Sequence, residues 1–133
     1  MWAMNQLRPD GFEWPLEEQI EMIVNAGFNG VDIVYGDIDR DTIGPLLDHF
    51  NLANTVTAFP QSIDALRPAM EFAQSPGTRH LNVIGKVYPF GINQGAEIVR
   101  EWMALCDKAG LPMTIETHRD CITCRHALYI HSS

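Results

Sequence analysis

No part of this 133-residue chain reaches the roughly 18 consecutive apolar residues that a bilayer-spanning helix needs. Its start, Met1-Trp2-Ala3-Met4-Asn5, lacks the basic-then-apolar order of a secretory signal. Cysteine is scarce and odd in number, Cys106, Cys121 and Cys124, which argues against a disulfide framework and predicts reduced thiols. These absences together predict a cytoplasmic protein with no membrane partner. Basic residues are also few: nine Lys and Arg stand against 17 Asp and Glu, for a net charge of −8. The nine are scattered from Arg8 to Arg125, so no basic face is evident and a nucleic-acid partner is not expected. Neither G-x-G-x-x-G nor G-x-x-x-x-G-K-[ST] occurs, which removes the two commonest sequence signals for dinucleotide and phosphate-loop sites.

What remains is enough for one ordinary domain, with 46% hydrophobic residues to build a core. Trp2 to Leu7 reads as a first strand, followed by a turn-rich loop to Pro15. Leu16, Ile20, Ile23 and Val24 recur at helical spacing, with Glu17, Glu18 and Glu21 opposite, and Asn25-Ala26-Gly27 ends that helix. The β-rich run Val31 to Tyr35 comes next. The unit then repeats. A helix capped by Asp41 or Thr42 carries Ile43, Leu46, Leu47 and Phe50, with Gly44-Pro45 expected in its first turn. A strand from Ala53 to Phe59 precedes a helix through Ile63, Leu66, Met70 and Ala73, capped by Ser62 or Asp64. His80 to Val87 reads as the fourth strand. The fourth helix presents Ile98, Val99, Trp102, Leu105, Cys106 and Ala109 as one apolar face and stops at Gly110.

The fifth strand, in Pro112 to Asp120, starts apolar and ends with four ionisable residues, Glu116, His118, Arg119 and Asp120. Strand alternation would put Thr114, Glu116 and His118 on one side. A carboxylate and an imidazole on one face suit a divalent metal, or a base and a hydrogen-bond donor acting on a polar substrate. Repeating strand–helix units predict an α/β fold, either an open doubly wound sheet or part of a (β/α)₈ barrel. Polar residues fall on several strands, Asp32 in the second, Lys86 near the end of the fourth, and Glu116 and His118 at the end of the fifth, which favours the barrel.

Two stretches sharpen this reading. Ala26-Gly27-Phe28-Asn29-Gly30-Val31-Asp32-Ile33 and Ala109-Gly110-Leu111-Pro112-Met113-Thr114-Ile115-Glu116-Thr117-His118-Arg119 resemble junctions in the xylose isomerase-like TIM barrels, the sugar phosphate isomerase/epimerase family. The resemblance spans about residues 1–120 and implies a partial TIM (β/α)₈ barrel of about four βα units plus a fifth strand, with 121–133 as an irregular tail. It implies a sugar or keto-acid substrate and proton transfer between adjacent carbons. Glu116 takes the position of a ligand to a divalent metal, manganese, magnesium or zinc, and with His118 would be catalytic. Asp32, Lys86 and Arg119 would contact substrate.

The same resemblance exposes a shortfall. Its members complete the metal site with an acidic residue, a histidine and a second glutamate from strands six to eight, in barrels of about 250 residues. The expectation is therefore a fragment, or a reading frame interrupted near Thr123, inactive alone. An alternative is a non-catalytic half-barrel that forms a homodimer through its exposed edges, as a scaffold or binding module. A lesser one is an apurinic endonuclease-like barrel, disfavoured by the charge and by the placement of His49 and His80. Cys121-x-x-Cys124-x-His126 resembles half a zinc site, but no second ligand pair is evident.

Overall fold

In the computed structural model, which describes residues 10–88 and 91–124, each of the first three strands is followed by a helix that leads back to the next parallel strand. The order is α1 (Leu16–Asn25), β1 (Gly30–Val34), α2 (Arg40–His49), β2 (Ala53–Ala58), a 3-10 turn (Asp64–Leu66) running into α3 (Arg67–Ala73), β3 (Thr78–Val83), α4 (Ile92–Lys108) and β4 (Met113–Ile115). The four strands form one parallel sheet in sequential order, β1-β2-β3-β4. The expected first strand, Trp2 to Leu7, lies outside the described residues. Among the described strands the order never reverses, so they contain no switch point of the kind that defines a doubly wound crevice.

The two faces of this sheet differ sharply. Val31 and Ile33, Val56 and Ala58, and Leu81 and Val83 are buried on the face that meets the helices. Register puts them side by side, Ile33 against Val56 and Val56 against Leu81. Ile20, Ile43 and Leu47 complete one core cluster with β1, while Ala69, Met70, Trp102 and Cys106 complete a second with β2 and β3. The opposite face carries Asp32, Thr55, Thr57, Asn82 and Thr114, and no described helix packs there.

The helical stripes read from spacing pack as expected. Leu16, Ile23 and Val24 lie against the first cluster, and Ile98, Val99, Leu105 and Ala109 against the second. Ser62 Oγ accepts the Ala65 amide, 3.1 Å, as a capping side chain does. Gly27 and Gly110, at φ +88° and +65°, follow the last helical residues of α1 and α4 in the left-handed conformation that releases the chain.

Three boundaries differ from expectation. The helix expected to be capped by Asp41 or Thr42 has Asp39 at its cap position and starts at Arg40, so Pro45 lies in its second turn rather than its first. The fourth expected strand ends at Val83 rather than Val87, although the Ile84 and Lys86 amides still donate to the Ala58 and Pro60 carbonyls, and Gly85 lies against the Trp102 ring. A Cβ on Gly85 would stand 2.7 Å from Trp102 Cη2 and 2.9 Å from Ile122 Cγ2. The fifth expected strand is regular only over Met113–Ile115; the Glu116 amide still donates to the Val83 carbonyl, and the chain then turns through 119–123. Cys121 and Ile122, in that turn, are buried.

Candidate functional site

Each strand places at least one polar residue on the bare face, and parallel register lines them up across it. Asp32 lies beside Thr55, Thr57 beside Asn82, and Asn82 beside Thr114. Their side chains form a continuous hydrogen-bonded row. Thr114 Oγ1 donates to Asn82 Oδ1 at 3.1 Å. Asn82 Nδ2 donates to Glu116 Oε2 at 2.6 Å and to Thr57 Oγ1 at 3.3 Å. Thr57 Oγ1 in turn donates to Asp32, 3.0 Å from each carboxylate oxygen, and Thr55 Oγ1 donates to Asp32 Oδ1 at 2.6 Å.

This row has a direction. Both Asn82 amide hydrogens are engaged, one on Glu116 and one on Thr57, and the Thr57 hydroxyl passes its own hydrogen to Asp32. Hydrogens thus run outward from Asn82 to a carboxylate at either end. Reversing the Asn82 amide would put its oxygen against the Glu116 carboxylate, two acceptors facing each other, so Glu116 fixes the amide's orientation. Both carboxylates are exposed while Thr57 is buried, so the ends of the row meet solvent and its middle is held.

The remaining candidates sit at the carboxyl edge of the sheet. Lys86 lies three residues beyond β3; its amide donates to the Pro60 carbonyl at 2.8 Å and its Nζ to the Asp120 carbonyl at 3.3 Å. Tyr88 Oη donates to the same carbonyl at 2.8 Å, tying the β3–α4 loop to the turn after β4. His118 does not continue the strand alternation. It lies past the end of β4, where its amide donates to Thr123 Oγ1 at 3.3 Å and its Nδ1 stands 2.6 Å from the Arg119 carbonyl. Arg119 is exposed in the same turn. Cys121 is fully buried there, with its Sγ donating to the His118 carbonyl, and serves as packing at the base of the turn. Cys106, inside the second cluster, has its thiol pushed up from its ordinary value of 9.0 by burial and by neighbouring Asp107.

These residues do not by themselves build a metal centre. No group of three or more His, Cys, Asp or Glu suited to a metal ion occurs among the described residues. Asp32 and Glu116 do not meet: the Thr57 hydroxyl and the Asn82 amide stand between the two carboxylates in the row. Glu116 offers one oxygen donor of the kind a hard cation takes. His126, the last member of the cysteine–histidine motif, lies outside the described residues.

Asn82, Thr55 and Thr57 were not among the residues singled out from sequence. Their signal was present as period-two polarity, Thr-Val-Thr in β2 and Leu-Asn-Val in β3, but it gains meaning only once register sets Asn82 between Thr57 and Glu116. No described helix is long and apolar enough to cross a membrane. No family model, curated protein or solved structure matches the chain.

Proposed function

We propose that this chain forms one side of a βα barrel whose bare sheet face binds a sugar or related keto acid, with Glu116 moving a proton between adjacent carbons. The observation that carries the reading is the row Asp32–Thr57–Asn82–Glu116, hydrogen-bonded across four parallel strands and ending at the carboxyl edge, where barrels place their chemistry. A polyhydroxylated ligand suits such a face, because each hydroxyl can donate to one group and accept from the next. Asp32 and Thr55 hold hydroxyls at one end; Glu116 reaches the reacting carbons at the other.

In the reaction class implied, Glu116 removes the proton from a carbon beside a carbonyl. The C–H electron pair forms the enediolate double bond, and the carbonyl oxygen takes the charge. Returning the proton to the former carbonyl carbon, while the hydroxyl proton of the first carbon passes to the enediolate oxygen and leaves a new carbonyl behind, completes an isomerisation; returning it to the opposite side of the same carbon, as the enediolate oxygen reverts to a carbonyl, completes an epimerisation. Asn82 positions Glu116 but has no hydrogen left for the enediolate oxygen. That charge needs a donor from the loops, and Lys86, His118 and Arg119 are the groups in place. A divalent metal would take Glu116 as one ligand and require others from outside the described residues, so binding is expected from this chain without efficient turnover.

The test is an amide-resolved NMR titration with a panel of aldoses, ketoses and their phosphates. Saturable shifts at Asp32, Thr57, Asn82 and Glu116, lost in Glu116→Gln, would support the reading. Sugars that perturb none of these, or only the helical face, would overturn it. The open edges of β1 and β4 among the described strands favour one second reading, a second copy closing the bare face as a scaffold. Sedimentation showing a defined dimer with no sugar response would select it.

A further inference from the structure

On the far side of the sheet from the polar row, α2 and α3 stand apart over a cleft of about 320 Å³. The volume falls at the lower end of the range of small-molecule sites. Its floor is apolar, from the buried Ile33, Ile43 and Leu47, with half-buried Phe72 at one side, and Arg40 and Asp48 are among the charged residues at its lining. Asn54 also lines it and is only 3% exposed, the one carboxamide on the otherwise apolar inner face of β2. Asn54 Oδ1 accepts the Thr78 hydroxyl at 2.8 Å, whereas its amide nitrogen donates to no described residue. No fully buried side-chain nitrogen or oxygen is left without a partner among the described residues, so this nitrogen keeps contact with solvent. A buried donor held from behind and open in front is what a ligand acceptor needs.

The α2 wall carries a complementary irregularity. Pro45 has no amide hydrogen, so the Asp41 carbonyl one helical turn earlier lacks its usual donor, and both residues line the cleft. Gly44 lies between them in the chain, and a Cβ there would meet nothing within 4 Å. The cleft therefore owes part of its space to a missing side chain in a helix interior, where glycine is a poor choice by propensity.

We infer that this cleft is a binding site for a compact aromatic carboxamide, with the ring in the open space beside Gly44 and Phe72, over the floor of Ile43 and Leu47, and the carbonyl accepting from Asn54 Nδ2. The ligand's own amide hydrogens suit the Asp41 carbonyl. The site is independent of the polar row, which lies on the other face.

Benzamide is the probe, titrated to 10-fold above a Kd expected to be roughly millimolar for so small a molecule, with amide and side-chain NMR as readout. Saturable shifts at the Asn54 side-chain amide and along Gly44 to Leu47 are expected. Gly44→Leu fills the space from an open helix position; it should bind benzamide at least about tenfold more weakly while melting no lower than the parent. Asn54→Leu tests the donor separately and should weaken binding about tenfold through the unmatched carbonyl. Absence of saturable shifts overturns the site, and so does undiminished binding by a folded Gly44→Leu or Asn54→Leu protein.

Discussion

At Gly85 a single hydrogen atom keeps the backbone clear of the Trp102 ring and Ile122. Trp102 is wholly buried and tied at Nε1 to the Ser62 carbonyl, 3.3 Å, so its ring cannot retreat from an added methyl group. Gly85→Ala is expected to lose about 1–3 kcal/mol, the usual cost of overpacking a rigid core, measurable as a lower urea midpoint at unchanged slope. Cys106 supplies a pH-dependent counterpart. Its folded thiol resists ionisation more than the unfolded one, so above 9.0 the unfolded state holds fewer protons than the folded state and stability falls as pH rises. Below 9.0 the contribution is fully present. Urea midpoints between pH 8 and 10.5 should decline more steeply in the parent than in Cys106→Ala, even though the variant starts less stable from the lost core contact. Equal slopes would remove Cys106 as the cause.

At the scale of elements, α2 is a helix whose start sequence reasoning misplaced, and the reason is physical. Proline is tolerated in a first turn because that amide is unpaired anyway, so Gly44-Pro45 pulled the expected start toward Asp41 or Thr42. The helix instead begins at Arg40 and accepts the interior proline, because Ile43 and Leu47 bury their side chains against Ile33 across the break. Pro45→Ala restores the missing amide donor to the Asp41 carbonyl and is expected to gain about 1–3 kcal/mol in chemical denaturation. A loss instead would mean that the proline's own packing outweighs the hydrogen bond. The other helices were legible because their apolar spacing, caps and glycine stops agreed. Strand interiors were legible for the same reason, whereas the ends of β3 and β4 were not. Those ends lie among contacts between residues distant in sequence, Trp102 over Gly85 and Asp120 against Lys86 and Tyr88, which no local pattern carries. The candidate site divides in the same way. Asp32 stood out as a charge within an apolar strand and Glu116 as a charge at a strand end; Asn82, which couples them through Thr57, looked like any polar strand residue until register was known.

For the whole molecule, the two core clusters imply unequal stability along the sheet. One unites α1, β1 and α2; the other unites α3, α4 and the strands β2 and β3. Phe72 packs against both and meets Tyr35 edge-on at 5.9 Å, so it is a principal apolar bridge between them. The cluster around β1 is smaller and lacks an aromatic as fully buried as Trp102, while β1 is an edge among the described strands and β2 and β3 are flanked on both sides. Sub-global opening should therefore start with α1, β1 and α2. Native-state hydrogen exchange is expected to show lower opening free energies for Val31 to Val34 than for Val56 to Ala58 or Leu81 to Val83. Phe72→Ala should widen that gap, costing about 1–3 kcal/mol because the ring is only partly buried. Asp32 belongs to the part that opens first and Glu116 to the part that opens last, yet Thr57 and Asn82 join them by hydrogen bonds across the boundary. A sugar bound across the whole row must contact both parts, so it should raise protection in β1 more than in β2. Phe72→Ala, on the opposite face from the row, should then weaken sugar binding through β1 opening alone. Equal sugar protection of all four strands, or unchanged affinity in Phe72→Ala, would show that the row does not bridge two separately opening parts.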